Sequence, residues 1–170
     1  GRRLETPKGD GTRPTSDRVR EAMFSTLESE LGGWEHDSRV ADLYAGSGAL
    51  GIEALSRGAN TAVFVESDRR AAAVIKQNLA SLGAESGAVL RMTVDRFLQT
   101  PDRVHVVFMD PPYAVPAEKI TRQLSHLADL LEPGGIVVVE RSRRTPFEWP
   151  DGLTGFRDKV YGETRLWYGR

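Results

Sequence analysis

The stretch "RVADLYAGSGALGIEALSRGA", residues 39–59, decides the fold. It opens with a short apolar run around Val40 to Leu43, passes through glycines at 46, 48 and 51, and continues as a helical pattern. Strand, glycine-rich turn and helix in that order form the first unit of a βαβ sheet. Downstream, "TAVFVES" from Thr61 reads as a second strand, and "DRRAAAVIKQNLASLG" as a helix capped by Asp68 and stopped by Gly83. A third strand is expected near Ala88 to Val94 and a fourth over Val104 to Met109. A helix opening around Pro116 carries Ile120, Leu124, Leu127 and Leu131, and "EPGG" leads into an apolar strand, Ile136 to Val139. Upstream, Ser16 caps a helix with Val19, Met23, Leu27 and Leu31 at helical spacing, ended by Gly32 and Gly33. Strands alternating with helices predict an α/β fold with a parallel sheet covered on both faces. The end of the chain departs from the pattern: "FRDKVYG" from Phe156 and "ETRLWYGR" from Glu163 have no helix between them and predict an antiparallel hairpin on the sheet edge. One domain over residues 16–170 is expected behind a basic arm over 1–15.

Composition excludes several classes of chemistry. The 170 residues contain no cysteine, hence no disulfide, thiolate metal site or cysteine nucleophile. His36, His105 and His126 stand apart from one another and from acids at ligand spacing, so no metal is expected. No apolar run reaches the roughly 20 residues of a membrane span and no leader pattern opens the chain, which gives a cytoplasmic, membrane-free expectation. Because the first residue is Gly1, a natural beginning further upstream is expected. The net charge is -1, yet residues 1–20 carry six Lys/Arg against three acids and residues 141–170 seven against four. Two basic ends meeting in space would engage several phosphates; ordinary solvated arginines account for the same counts.

The glycine turn has a specific reading. Gly46, Gly48 and Gly51 let backbone approach a ligand at the head of the sheet, and Glu66 ends the next strand, where a carboxylate can accept both ribose hydroxyls. Asp42, just before the turn, would oppose a pyrophosphate but suits a cation such as the amino acid part of S-adenosylmethionine. Asp42 and Glu66 also read as helix caps. Asp95 follows the third strand, where it would hydrogen-bond an adenine amino group with Arg96 or Phe97 near the ring, or else cap a short helical turn. Asn78, polar on an apolar helix face, is expected to tie down a nearby loop.

The fourth strand ends in "DPPY", residues 110–113. Pro111 and Pro112 lack an amide hydrogen and fix a rigid extended turn. Such a turn holds the Asp110 carboxylate and the Pro111 carbonyl as two acceptors, which match an amino group with two hydrogens, while Tyr113 can stack on a base. A rigid surface turn without a ligand is the competing reading.

Together, "DLYAGSGALG", "DPPY" some sixty residues later and "RPTSDRVREAMFSTL" at residues 13–27 resemble the RsmD-type bacterial small-subunit ribosomal RNA guanine-N2 methyltransferases. The likeness extends to "GRRL" at the start and "YGETRLWY" at the end. It implies the Rossmann-like, seven-stranded S-adenosylmethionine-dependent methyltransferase fold, and transfer of a methyl group to the 2-amino group of a guanine in 16S ribosomal RNA, with S-adenosylhomocysteine as product. The partner is then 16S RNA or the 30S particle, and the protein a monomer. The resemblance assigns Asp110, Pro111 and Tyr113 to catalysis, and Thr15, Arg18, Phe24, Asp42, Gly46, Gly48, Glu66, Asp95 and Asp110 to the cofactor. Arg2, Arg3, Arg13, Pro112, Tyr113, Arg141 and Arg143 are expected on the RNA side. Trp34, Trp149 and Trp167 read as packing residues, with Trp149 also within reach of RNA. Amino methylation of DNA, methylation of a protein glutamine and a non-catalytic RNA-binding role are the alternatives.

Overall fold

A computed structural model describes residues 16–170. Arg2, Arg3, Arg13 and Thr15 of the expected site lie outside the described residues. In chain order the elements are α1 (Asp17–Leu31), β1 (Arg39–Leu43), α2 (Ala49–Arg57), β2 (Thr61–Val65), α3 (Arg69–Leu82) and β3 (Gly87–Leu90). They continue as α4 (Val94–Phe97), β4 (Val104–Met109), α5 (Ala117–Ala128), β5 (Leu131–Ser142), β6 (Gly155–Tyr161) and β7 (Thr164–Gly169). The strands form a seven-stranded sheet in the order β3-β2-β1-β4-β5-β7-β6. The first five pair in parallel; β7 runs antiparallel to β5, and β6 antiparallel to β7. This is the mostly parallel sheet with a C-terminal hairpin that the strand and turn pattern predicts.

Period-two alternation divides the strands between two cores. Val40, Phe64, Val106, Phe108 and Val138 face α1, α2 and α3, where they meet Phe24, Leu27, Ile52 and Ile75. Ala41, Val65, Val107, Met109 and Val139 face the other way, toward Phe97 of α4 and Ile120, Leu124 and Leu127 of α5. Burial on both faces explains why β4 is an unbroken apolar run.

Helix ends follow local chemistry. Ser16 accepts from the Val19 amide and Asp68 from the Ala71 amide, while Gly32 and Gly83 stop their helices in the left-handed region. Three boundaries differ from the sequence reading. The third strand ends at Leu90, because Thr93 caps α4 by accepting from the Arg96 amide. Leu131 continues the helical spacing of α5 but opens β5 instead. "EPGG" lies inside that strand as an irregularity, with pairing to β4 shifting between Val104 and Val106. Helical periodicity cannot distinguish a last helical turn from the next buried strand when both need an apolar residue.

Candidate active site

The sheet reverses its winding between β1 and β4: the chain builds β1, β2 and β3 outward in one direction, then β4, β5 and β7 in the other. Crevices open at such a point beyond the carboxyl ends of the strands. Asp42, Glu66 and Asp110 come from the ends of β1, β2 and β4, and Asp95 from α4, directly after β3. Acids far apart in the chain thus share one edge of the sheet.

The glycine turn is held by two of them. Asp42 is 2% exposed and accepts a hydrogen bond from the Gly51 amide at 2.9 Å. It therefore does cap α2, from a neighbouring strand. Glu66 accepts from the Gly46 amide through Oε1 at 2.8 Å and from the Asp68 amide through Oε2 at 2.9 Å. It braces the glycine turn and the start of α3 at once, and each oxygen keeps a second lone-pair direction. The glycines have separate reasons: Gly46 has φ of 60° with open space where a Cβ would stand, whereas a Cβ on Gly51 would meet Phe64 Cζ at 2.8 Å. The first leaves room for a ligand; the second lets α2 pack against β2. Asn78, 5% exposed, donates to the Ser47 carbonyl at 3.1 Å and so ties α3 to the turn, as its awkward place in the sequence suggests.

Burial pushes the Asp42 carboxyl up from 3.8 to about 8; the Gly51 amide opposes the rise and the charge of Glu66 adds to it. Asp110 is likewise raised well above the carboxylate range, first by burial, then by the charge of Glu140 and a hydrogen bond with it, and last by Asp42. Acids held this way favour a cation beside them.

Asp95 behaves differently. Its carboxylate accepts from Gln123 Nε2 at 3.0 Å and lies 3.5 Å from Lys119, and these contacts, the Gln123 bond foremost, hold it below the usual range despite partial desolvation. Gln123, 1% exposed, also accepts from the Tyr44 hydroxyl at 2.9 Å. Tyr44 has φ of 58°, the one positive value among described non-glycine residues. A strained tyrosine after β1 is thereby joined to α4 through α5. Neither Tyr44 nor Gln123 stands out in the sequence, because a buried glutamine on an amphipathic helix shows its partners only in three dimensions.

After β4 the chain turns through Pro111 and Pro112. Tyr113 is 63% exposed, and the Val115 amide closes the turn on the Pro112 carbonyl at 3.1 Å. Three expected residues take other places. Phe24 is fully buried, its ring 5.3 Å from that of Phe108, so it seats α1 on the sheet and presents no surface to a ligand. Phe97 is equally core, 2% exposed, whereas Arg96 beside it is exposed. Arg141 is 8% exposed and donates to the Thr145 carbonyl at 2.6 Å and the Val115 carbonyl at 3.2 Å. It is a strut under the acceptor turn, not a surface arginine, because period two on β5 turns it inward. Arg143 is exposed and pairs with Glu163 at 3.4 Å, and Arg18 is exposed at the start of α1. Trp149 packs over Gly155 and Gly169 and edge-on to Phe147, consistent with a packing role.

The seven-stranded, mostly parallel sheet with its C-terminal antiparallel hairpin is the Rossmann-like arrangement of the seven-stranded methyltransferases. The solved structure of hypothetical protein TTHA0928 from Thermus thermophilus matches with a TM-score of 0.84 at 31% identity, covering 99% of this chain and 92% of that one. Protein yhhF from Escherichia coli matches with a TM-score of 0.83 at 31% identity, covering 100% and 92%. The family model described as Conserved hypothetical protein 95 matches residues 1–170, and the chain belongs to that family, the RsmD family. Among similar curated proteins, Ribosomal RNA small subunit methyltransferase D of Escherichia coli (strain K12) is 42% identical over 171 residues, covering 96% of this chain and 81% of the relative. Its namesake from Haemophilus influenzae is 34% identical over 167 residues, covering 95% and 84%.

Proposed function

We propose that this protein is a ribosomal RNA methyltransferase that transfers a methyl group from S-adenosylmethionine to the exocyclic 2-amino group of a guanine in 16S RNA, as naked RNA or within the 30S particle. The observation that carries the reading is the rigid Asp110-Pro111-Pro112-Tyr113 turn placed beside the glycine turn at the switch point of the sheet. The names of the relatives support the RNA; the acceptor pair and the motif resemblance support the guanine amino group.

The residues present fit the cofactor. Asp42 is a buried acid whose raised proton affinity marks a place that welcomes positive charge, and Gly46 in the same turn has open space where a Cβ would stand. Glu66 would hold the ribose hydroxyls, Asp95 the adenine amino group, and Gly46, Gly48 and Asp42 the amino acid end. When bound, the cofactor supplies an electrophilic methyl group on a positively charged sulfur. The chain contributes alignment. The Asp110 carboxyl and the Pro111 carbonyl accept the two N–H bonds of the amino group, which directs the nitrogen lone pair and withdraws it from conjugation with the ring. Tyr113, largely exposed, offers a stacking face to a base brought out of its helix. The nitrogen that gains a methyl group sheds one proton, and Asp110, hydrogen-bonded to it, is placed to take it. Arg143, with the arginines of the arm, would hold phosphates.

The test is to incubate the protein and labelled cofactor with 30S particles, naked ribosomal RNA, duplex DNA and protein, and to identify the product by mass spectrometry. N2-methylguanosine in RNA is the expected result. Label confined to DNA or to protein overturns the reading.

A further inference from the structure

Gln123 takes a position on α5 that packing alone would give to an apolar residue. It shares the buried face with Ile120, Leu124 and Leu127, yet both ends of its amide are in use. Its Oε1 accepts from the Tyr44 hydroxyl at 2.9 Å, and its Nε2 donates to Asp95 Oδ1 at 3.0 Å. Chemistry fixes which end faces which: an ionised carboxylate can only accept, so the amide nitrogen must meet Asp95, and the amide oxygen is left for the tyrosine O–H. Helix capping does not account for the placing of Asp95. Thr93 caps α4 by accepting from the Arg96 amide, and the groups that meet Asp95, Gln123 at Oδ1 and Lys119 at 3.5 Å from Oδ2, both stand on α5. The Asp95 side chain is still half exposed, so its carboxylate is anchored at one oxygen and open to a ligand. We propose that Gln123 is a positioning and specificity-determining residue for the cofactor: by anchoring Oδ1 it fixes the rotation of the Asp95 carboxylate, and the carboxylate held in this way selects a purine that carries a 6-amino group.

Tyr44 secures the other end of the amide. Its φ of 58° is a conformation that costs a residue with a side chain, and it directly precedes the glycine turn, where the Ala45 amide donates to the Val65 carbonyl and the Ala45 carbonyl accepts from the Gly48 amide. The hydroxyl bond ties this strained residue to α5. Rotation of the Gln123 amide would release Tyr44 and Asp95 together, leaving buried polar groups unpaired, so the two bonds hold each other in place. The surrounding charge agrees with an acceptor at this point: the Gln123 bond foremost, with Lys119 and Arg122 opposing the desolvation, keeps the Asp95 carboxyl below its usual range. A purine 6-amino group donates an N–H to such a carboxylate. A purine with hydrogen in that place offers it nothing, and a site built to bond an N–H rejects the analogue that lacks it.

The role of Gln123 rests on the assignment of Asp95 to the adenine amino group, and the experiment separates the two. Calorimetry on the parent protein and each variant gives the dissociation constants of S-adenosylhomocysteine and of its analogue with hydrogen in place of the purine 6-amino group. The parent is expected to prefer the amino form at least about tenfold, and Asp95→Ala to reduce that preference to about twofold or less. Gln123→Met fills the core position but cannot hold Asp95; it is expected to reduce the preference to about threefold or less, while affinity for the analogue changes by less than about threefold. Tyr44→Phe removes only the donor that locks the amide and is expected to lower the preference at least about twofold. It decides the matter if circular dichroism shows Gln123→Met to be unfolded. Both ligands weakened in parallel in a folded Gln123→Met, with the preference intact, mark a packing role and overturn the positioning one, and an intact preference in Tyr44→Phe does the same where that variant decides. If Asp95→Ala loses the preference in those cases, the adenine assignment stands without Gln123. A preference absent from the parent, or intact in Asp95→Ala, overturns the adenine assignment and the role of Gln123 with it.

Discussion

Replacing Asp42 by Asn tests the electrostatics of the crevice most directly, because the exchange keeps the shape and the acceptor for the Gly51 amide while removing the ionisation. In the folded protein the Asp42 carboxyl ionises near pH 8 rather than 3.8, chiefly because it is buried. Below pH 3.8 it is protonated in both folded and unfolded chains and costs nothing. Between 3.8 and 8 the unfolded chain releases a proton that the folded chain retains, so stability falls as pH rises, by about 1.4 kcal/mol per pH unit. Above pH 8 both states are ionised and the loss levels off, at up to about 6 kcal/mol, a large share of the roughly 5–15 kcal/mol available to a domain. Asp42→Asn escapes this loss. Urea denaturation of both proteins without cofactor, from about pH 5 to 9, should therefore show the variant gaining on the parent at that slope and reaching a plateau above about pH 8. Taking the difference cancels the titration of every other group that the exchange leaves undisturbed. Calorimetry with S-adenosylmethionine should show the opposite ranking, with the parent binding more tightly as Asp42 ionises and the variant weaker and nearly independent of pH. A stability difference that stays flat over that whole range refutes the reasoning.

Further expectations concern other parts of the crevice. Asp110→Ala should abolish methyl transfer while calorimetric cofactor affinity changes by less than about threefold, since the residue aligns the acceptor. Glu66→Ala removes the brace on the Gly46 amide and the acceptor for ribose hydroxyls, and should weaken cofactor binding at least tenfold in the same assay. Arg141→Met keeps the buried stem but strands the Val115 and Thr145 carbonyls; denaturation should show a loss of about 2 kcal/mol, and transfer should slow more than cofactor binding weakens. Gly51→Ala forces a methyl group against Phe64 and should cost about 1–3 kcal/mol, read as a lower denaturation midpoint.

Periodicity made the architecture legible because both of its periods arise from local geometry. The limits of β4, Val104 to Met109, follow from an apolar run ended by two prolines, and the closing hairpin from two strand patterns with no helix between them. The boundaries that shifted, at β3 and at Leu131, are places where an apolar residue serves a helix and a strand equally well. The acids of the crevice were legible for a related reason: strands of a parallel sheet end on one edge, so residues at those ends share it.

By itself, then, the sequence determined the order of strands and helices, the glycine turn and the two-acceptor end of β4, all of which depend on residues close in the chain. Only the tertiary structure decided how those groups are held. It set Asp110 beside the distant Glu140, joined Tyr44 to Asp95 through Gln123, and turned Arg141 and Phe24 inward. The register of β5 against β4 and the face each residue takes come from packing across the whole sheet, and no pattern within one segment encodes them.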